Sequence, residues 1–180
     1  MSPELKQFIK ENKDLINQNS KESWEEIYSK LDSFMLRGEF TEIILSADID
    51  PAKILGYIPN YYLCGSNIIS YKNPNRVTSI GHSAFSNCYN LTSMVIGDSI
   101  TSIEPYTFYS CRSLTSVEIS NSVTSIGLQA FYNCSNLKEI NFKGTKEQAI
   151  QLGIGNRSRK KWRENSAIEK IVCSDGEINL

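Results

Sequence analysis

The chain has 180 residues and a formal net charge of −1 at pH 7. This length is sufficient for one domain with a hydrophobic core, and the near-neutral charge does not favour nucleic acid or a membrane surface as a general partner. The five cysteines are an odd number, which favours reduced thiols over a framework of disulfides.

The first 58 residues are charged and amphipathic, with eleven Asp/Glu and seven Lys/Arg in residues 1–60. The pattern predicts four short helices. The first is expected from Ser2 to about Asn17. The second begins at Ser20 or at Ser23, the latter with a Ser23/Glu26 capping box, has Phe34 inside and ends at Gly38. The third covers residues 39–46, and the fourth runs from Pro51 to Leu55. The N-terminal residues contain no apolar stretch typical of a signal peptide or a spanning helix, so the sequence predicts a cytoplasmic protein.

One apolar pattern recurs three times within residues 77–142 at an interval of 23 residues, as Phe85, Phe108 and Phe131 show. The same interval links four further sets of three. These are Ile80, Ile103 and Ile126; Cys88, Cys111 and Cys134; Leu91, Leu114 and Leu137; and Met94, Val117 and Ile140. A fixed period in this range is typical of stacked units, none of which buries its apolar side alone.

Each unit is predicted to contain three short elements. Alternating apolar residues, such as Met94 and Ile96, indicate a strand with one buried face. Phe85 and Cys88 are three residues apart, which suits a helical turn that directs both side chains inward. Residues 77–80 are β-branched and short, and indicate a second extended segment on the opposite side of the coil.

The unit VTSIGHSAFSNCYNLTSMVI, which begins at Val77, resembles the repeat of the BspA-type leucine-rich repeat family. The resemblance is close over residues 77–142 and weaker towards both ends. It implies an α/β repeat fold, in which parallel strands stack into a solenoid. Glu104 stands where the other units have Gly81 and Gly127, which predicts that this position does not need a positive φ.

We expect three segments. Residues 1–58 form a helical N-terminal cap, residues 59–142 form the solenoid with a degenerate first repeat, and residues 143–180 form a C-terminal capping repeat. The inward positions of the degenerate repeat are expected 23 residues before those of the first full repeat. They are Ile54, Tyr57, Tyr62, Gly65, Ile68 and Tyr71. In the C-terminal segment, Thr145 and Gln148 have the spacing of a capping box, with Ala149, Ile150 and Leu152 expected inside.

The strand pattern then returns at a longer interval, with Ile171 predicted to take the place of Ile140 in the last coil. Asp175 and Gly176 are expected to turn the tail after this strand. Trp162 is expected to pack under the insertion that lengthens the coil.

The sequence offers little for catalysis. His82 is the single histidine, is expected to be exposed, and has no acid or cysteine at a spacing that would build a triad. No phosphate-binding loop or dinucleotide motif is present, so we expect no catalytic residues and no cofactor. The repeated cysteines suggest a metal site, but stacked coils would place them in a row about 4.8 Å apart, and tetrahedral ligation is therefore less favoured than a place in the core.

Recognition of a protein partner through the solenoid surface is the favoured function, with an ordinary solvated surface as the alternative. Alternation predicts an exposed row on the strands, bordered at the turns by Tyr109 and Arg112. The predicted partner-binding residues are Lys72, Ser93, Val95, Tyr109, Arg112, Ser116, Glu118, Glu139 and Asn141.

A basic stretch near the C-terminus is compatible with contact to an acidic protein or to nucleic acid, although a solvated loop is the favoured interpretation. Its members are Arg157, Arg159, Lys160, Lys161 and Arg163.

The family resemblance implies two versions of a non-catalytic binding role. Secreted relatives resemble adhesins that bind surfaces. Short cytoplasmic forms resemble bacterial or phage proteins, for which binding and blocking an intracellular host protein, such as a defence nuclease, is a reasonable hypothesis. The lack of an export signal favours the second version over the first.

Overall fold

The secondary structure is taken from a computed structural model that describes residues 1–31, 37–41, 50–155 and 161–180. Its helices are α1 (Pro3–Glu11), α2 (Lys13–Gln18), α3 (Lys21–Lys30), α4 (Pro51–Leu55) and α5 (Lys146–Leu152), and residues 37–41 are also helical. Its strands are β1 (Ser70–Lys72), β2 (Ser93–Ile96), β3 (Ser102–Ile103), β4 (Ser116–Ile119), β5 (Ser125–Ile126), β6 (Glu139–Phe142), β7 (Lys170–Cys173) and β8 (Gly176–Asn179).

Two sheets run along the stack of coils. The larger has the order β1-β2-β4-β6-β7-β8 and is parallel from β1 to β7, and the smaller pairs β3 with β5. Single bridges from Ile58 to Ile80 and from Ile80 to Ile103 extend the smaller sheet to the first coil. Since the first coil and the three full repeats each contribute one segment to each sheet, the predicted solenoid of stacked parallel strands is confirmed.

The strand register follows the sequence period. Met94 pairs with Val117 across β2 and β4, at the 23-residue interval. The pairing of Ile140 with Ile171 confirms the longer interval predicted for the last coil. After β7 the chain turns back into β8, an antiparallel strand that the sequence analysis did not predict.

The first coil is one residue shorter than predicted. Ile58 is bridged to Ile80, and Ser66 lies beside Cys88, which is an interval of 22 residues. The interval is 23 from Asn67 onward, so the coil is shortened between Ser66 and Asn67. The repeat register predicted before this point is therefore wrong by one residue at Ile54, Tyr57, Tyr62 and Gly65, although Tyr62 is itself fully buried. Ile68 and Tyr71 are assigned to the correct register.

A column of aromatic rings runs through the core. Phe85, Phe108 and Phe131 are fully buried, with ring centroids 5.4 Å and 5.0 Å apart and interplanar angles of 8° and 17°. The contacts continue to Trp162 at the C-terminal end. Towards the N-terminus they continue through Tyr71, Tyr62, Tyr28, Trp24, Phe40 and Phe8.

The N-terminal helices differ from their predicted boundaries. The first predicted helix is divided at Asn12, which has a φ of −110° and whose side chain donates to the carbonyl of Phe8. The capping box of α3 joins Ser20 and Ser23 rather than Ser23 and Glu26. This helix ends at Lys30 instead of Gly38, and the predicted position of Phe34 lies outside the described residues.

The last two predicted N-terminal helices meet the solenoid. Of the one expected over residues 39–46, residues 39–41 are described, and they are helical together with residues 37 and 38. The helix predicted to begin at Pro51 is confirmed as α4, where Asp50 accepts a hydrogen bond from the backbone amide of Ala52. Asp50 also accepts a hydrogen bond of 2.6 Å from Tyr62, and Thr41 donates to the Tyr62 carbonyl. These bonds attach the helices to the first coil.

The capping box of α5 is confirmed, with Gln148 N to Thr145 Oγ1 at 3.2 Å. Ala149 is buried as expected, but Ile150 is 55% exposed and Leu152 is half-buried, so the prediction that Ile150 lies inside is wrong. The division of the chain after residues 58 and 142 stays a prediction.

The backbone has a positive φ at two recurring positions in the turn of each coil. The sequence analysis did not predict these positions. The first position has φ of 58°, 54°, 59° and 53° at Tyr61, Ser83, Tyr106 and Gln129. The second is occupied by Gly65, Asn87, Ser110 and Asn133. Glu104 does not have a positive φ, as predicted. The glycine at the equivalent Gly127 instead allows close approach, since a Cβ there would lie 2.4 Å from the nitrogen of Pro105.

The aromatic column gives a stability prediction. The change Phe108→Ala removes the middle ring between two stacked neighbours and should lower the free energy of unfolding by ~3–5 kcal/mol. The exposed control Lys138→Ala should cost less than ~0.5 kcal/mol. Urea denaturation measures both values, and equal losses for the two variants would contradict the assigned core.

Candidate functional site

The outward side chains of the large sheet form what we call the strand face, comprising Lys72, Ser93, Val95, Ser116, Glu118, Glu139 and Asn141 together with Lys170 and Val172 of β7. Backbone pairing joins Lys72 to Val95, Val95 to Glu118, Glu118 to Asn141, and Asn141 to Val172. The structure therefore places one predicted binding residue from each of β1, β2, β4 and β6 in a single row, which Val172 of β7 continues.

Ion pairs neutralise much of the charge on the strand face. Lys143 lies 2.9 Å from Glu118, and Lys170 lies 3.2 Å from both Glu139 and Glu177. Hydrogen bonds to these two carboxylates raise the pKa of Lys170 above its ordinary value. The face is consequently close to electrically neutral, with the apolar side chain of Val95 half-buried within it.

The other two predicted binding residues lie on the helical turns. The Tyr109 ring stacks on Tyr132, with centroids 4.8 Å apart and an interplanar angle of 5°. The guanidinium carbon of Arg112 lies 5.8 Å from the centroid of the exposed Tyr89 ring. Both side chains are therefore held by contacts within the chain.

A second row of aromatic side chains, which we call the turn face, was missed by the sequence analysis. Tyr61, His82, Tyr106, Tyr109 and Tyr132 are all half-buried, and successive ring centroids lie 4.8–5.9 Å apart. The prediction of an exposed His82 is wrong, because its ring lies between Tyr61 and Tyr106. The 23-residue spacing of Tyr109 and Tyr132 was the signal available in the sequence.

The basic stretch is only partly described. Arg157, Arg159 and Lys160 lie outside the described residues, and Lys161 is exposed. Arg163 donates a hydrogen bond of 2.9 Å to the carbonyl of Ile168, and burial lowers the pKa of its guanidinium. A contact of this stretch with an acidic partner or nucleic acid stays a prediction.

The repeated cysteines are core residues, as predicted. Cys111 and Cys134 are fully buried and donate to the carbonyls of Phe85 and Phe108, at 3.0 Å and 3.1 Å. Among the described residues, no three side chains of the metal-ligating types form a cluster. Burial raises the pKa of Cys64 and of Cys134 to about 12, which keeps both thiols protonated and unreactive at neutral pH. In the same parts of the chain, no helix is long and apolar enough to span a membrane.

The fold defines this chain as a leucine-rich-repeat solenoid. The family model described as the BspA type leucine rich repeat region (6 copies) matches residues 56–153, more than half of the sequence. The chain therefore belongs to the BspA-type leucine-rich repeat family, whose repeat proteins are generally protein-interaction or surface-binding modules. A comparison with curated proteins finds no match.

Two solved structures are similar over part of their length. One is a leucine rich cell surface protein from Faecalibacterium prausnitzii A2-165, with 26% identity, a TM-score of 0.45, and coverage of 55% of this chain and 32% of that chain. The other is a leucine-rich repeat protein from Bacteroides ovatus ATCC 8483, with 19% identity, a TM-score of 0.38, and coverage of 63% and 44%. The chain thus spans less than half the length of either structure.

The buried thiols give a prediction for alkaline pH. Their pKa values rise on folding from 9.0 to about 12, so their stabilising effect is complete below pH 9 and is lost as the pH rises towards 12. In that interval the unfolded chain releases protons that the native chain retains, and each thiol lowers the free energy of unfolding by up to ~1.4 kcal/mol per pH unit.

Urea midpoints measured from pH 8 to pH 10 should therefore decrease above pH 9. The decrease should be smaller in the variant Cys134→Ala. A midpoint that stays constant to pH 10 would contradict the burial of these thiols.

Proposed function

We propose that this chain is a non-catalytic module that binds a protein partner through the strand face. The observation that supports the proposal is the row from Lys72 through Val95, Glu118 and Asn141, which is set by backbone pairing on four successive strands. Parallel strands repeat at ~4.8 Å. The row therefore offers varied side chains at fixed spacing on a rigid support.

Rigidity favours binding, because a surface that is already ordered loses little conformational entropy on association. The pairs Glu118–Lys143 and Glu139–Lys170 hold their side chains in place. Lys72 has no ion pair with another described residue, and it provides a cation at the edge of the sheet that can attract a partner carboxylate. These features fit a partner surface that is itself a mixture of polar and apolar groups.

Two versions of this role differ in the location of the partner. In one, the chain binds and blocks an intracellular protein, as an inhibitor would. In the other, it adheres to a surface or an extracellular protein. Capture of the partner distinguishes them, since one stoichiometric intracellular protein fits the first version and binding only to extracellular matrix proteins fits the second.

A photocrosslinking experiment tests the strand face directly. Val95 is replaced by p-benzoylphenylalanine, and the purified chain is irradiated in lysate of the encoding organism and, separately, on immobilised matrix proteins. We expect one crosslinked partner that an excess of unlabelled chain competes away. The same probe at Lys13, which is exposed on α2, serves as the control. Equal crosslinking from both positions, or none from Val95, would contradict the proposal.

The captured partner then allows a charge test. The change Lys72→Glu should weaken binding about tenfold, which corresponds to ~1.4 kcal/mol, because it reverses the exposed cation of the row. Lys13→Glu should leave the dissociation constant unchanged. Isothermal titration calorimetry measures both, and identical affinities for the two variants would exclude a contact at Lys72.

A further inference from the structure

A cavity of about 340 Å³ lies between the last full repeat and the C-terminal insertion. Its lining includes Ile126 and Leu128 from the coil, Leu152 from α5, and Lys161 and Trp162 from the insertion. Pockets that bind ligands in proteins usually have volumes of roughly 300–1,000 Å³. The cavity is therefore large enough to accept a single side chain of a partner.

The coil side of this cavity is apolar and open to solvent. Leu128 is 46% exposed, and Ile126 and Leu152 are half-buried. The two preceding coils carry His82 and Pro105 at the position of Leu128. Together these three side chains form an apolar patch along the cavity, against which an apolar side chain of a partner can be buried.

The insertion side contains a buried polar group without a partner. Trp162 is 6% exposed, and its Nε1 has no hydrogen-bond acceptor among the residues that the structure describes. Leaving a buried donor unsatisfied costs about 1–3 kcal/mol. An acceptor supplied by a ligand in the cavity would remove that cost.

The charge around the cavity indicates the chemistry of the ligand. Lys161 is exposed at its edge, and it is the only charged residue among the described residues that line the cavity. Glu164 is a nearby carboxylate, and it accepts a long hydrogen bond from Gln129. The charge of Lys161 favours a carboxylate-bearing ligand over a cationic one.

The strand beside the cavity is an edge strand within the described chain. Strand β5 pairs with β3 on one side, and no strand of the described chain pairs with its other edge. An extended peptide can add to such an edge by backbone hydrogen bonds while alternate side chains enter pockets.

We propose that this cavity is the docking pocket for an extended acidic segment of a protein partner. The segment places one bulky apolar side chain against Leu128 and an oxygen acceptor on Trp162 Nε1, and its carboxylates lie near Lys161. The proposal rests on the protein-binding role proposed above and adds the chemistry of the segment that is bound. It uses a surface separate from the strand face.

The two tryptophans of the chain allow a direct test. The ¹⁵N-labelled chain is titrated with a nine-residue peptide that has one phenylalanine between two runs of four glutamates. We expect the indole N–H signal of Trp162 to shift downfield as it gains an acceptor, while that of Trp24 stays in place. The variant Trp162→Phe assigns the signal.

Matched variants and probes make the test specific. Leu128→Glu should weaken peptide binding at least tenfold, whereas Ile69→Glu, at an exposed apolar residue near β1, should not. A peptide with alanine in place of phenylalanine should also bind at least tenfold more weakly. An unchanged Trp162 signal at millimolar peptide, equal binding by both peptides or both variants, or a Trp162 shift caused only by single-stranded RNA would overturn the proposal. None of these results affects crosslinking from Val95, so failure of the two proposals can be distinguished.

Discussion

Contact between one coil and the next is the constraint on which the rest of this structure depends. A single repeat buries none of its apolar side alone. Phe85, Phe108 and Phe131 stack at 5.0–5.4 Å, which is close to the ~4.7–4.9 Å spacing of paired strands. Side chains and backbone therefore repeat together. The stack ends where Trp162 meets the Phe131 ring edge-on, and at the other end Tyr71 packs against Phe85.

Hydrogen bonds from polar side chains also join each coil to the preceding one, and this limits which side chains a partner can contact. Thr115 and Thr124 donate to carbonyls of the preceding coil, each at 3.1 Å, and Cys111 does so from inside. Much of the Ser/Thr surface is thus occupied by hydrogen bonds between coils. Recognition has to use side chains outside these ladders, and both Val95 on the strand face and Leu128 beside the cavity meet this condition.

The period predicted the strands, the phenylalanine column and the pairing of Ile140 with Ile171, because burial imposes the same residue type at each inward position. It did not reveal the shortened first coil, since omission of one residue after Ser66 leaves an apolar pattern that is still plausible in the wrong register. The turn face depends on left-handed backbone at residues such as Tyr106, which has no sequence signature. The pocket at Trp162 arises only when the insertion folds against the coil.

The proposed strand face requires that outward side chains stand in a straight row over successive coils. Nitroxide labels at Lys72→Cys and Val172→Cys test this by pulsed electron spin resonance, because backbone pairing separates the two positions by four strand steps and the native cysteines are buried. The account predicts one narrow distance distribution centred at about 20 Å, from steps of ~4.8 Å. A broad distribution beyond roughly 40 Å, as expected for an unfolded connection of this length, would contradict it.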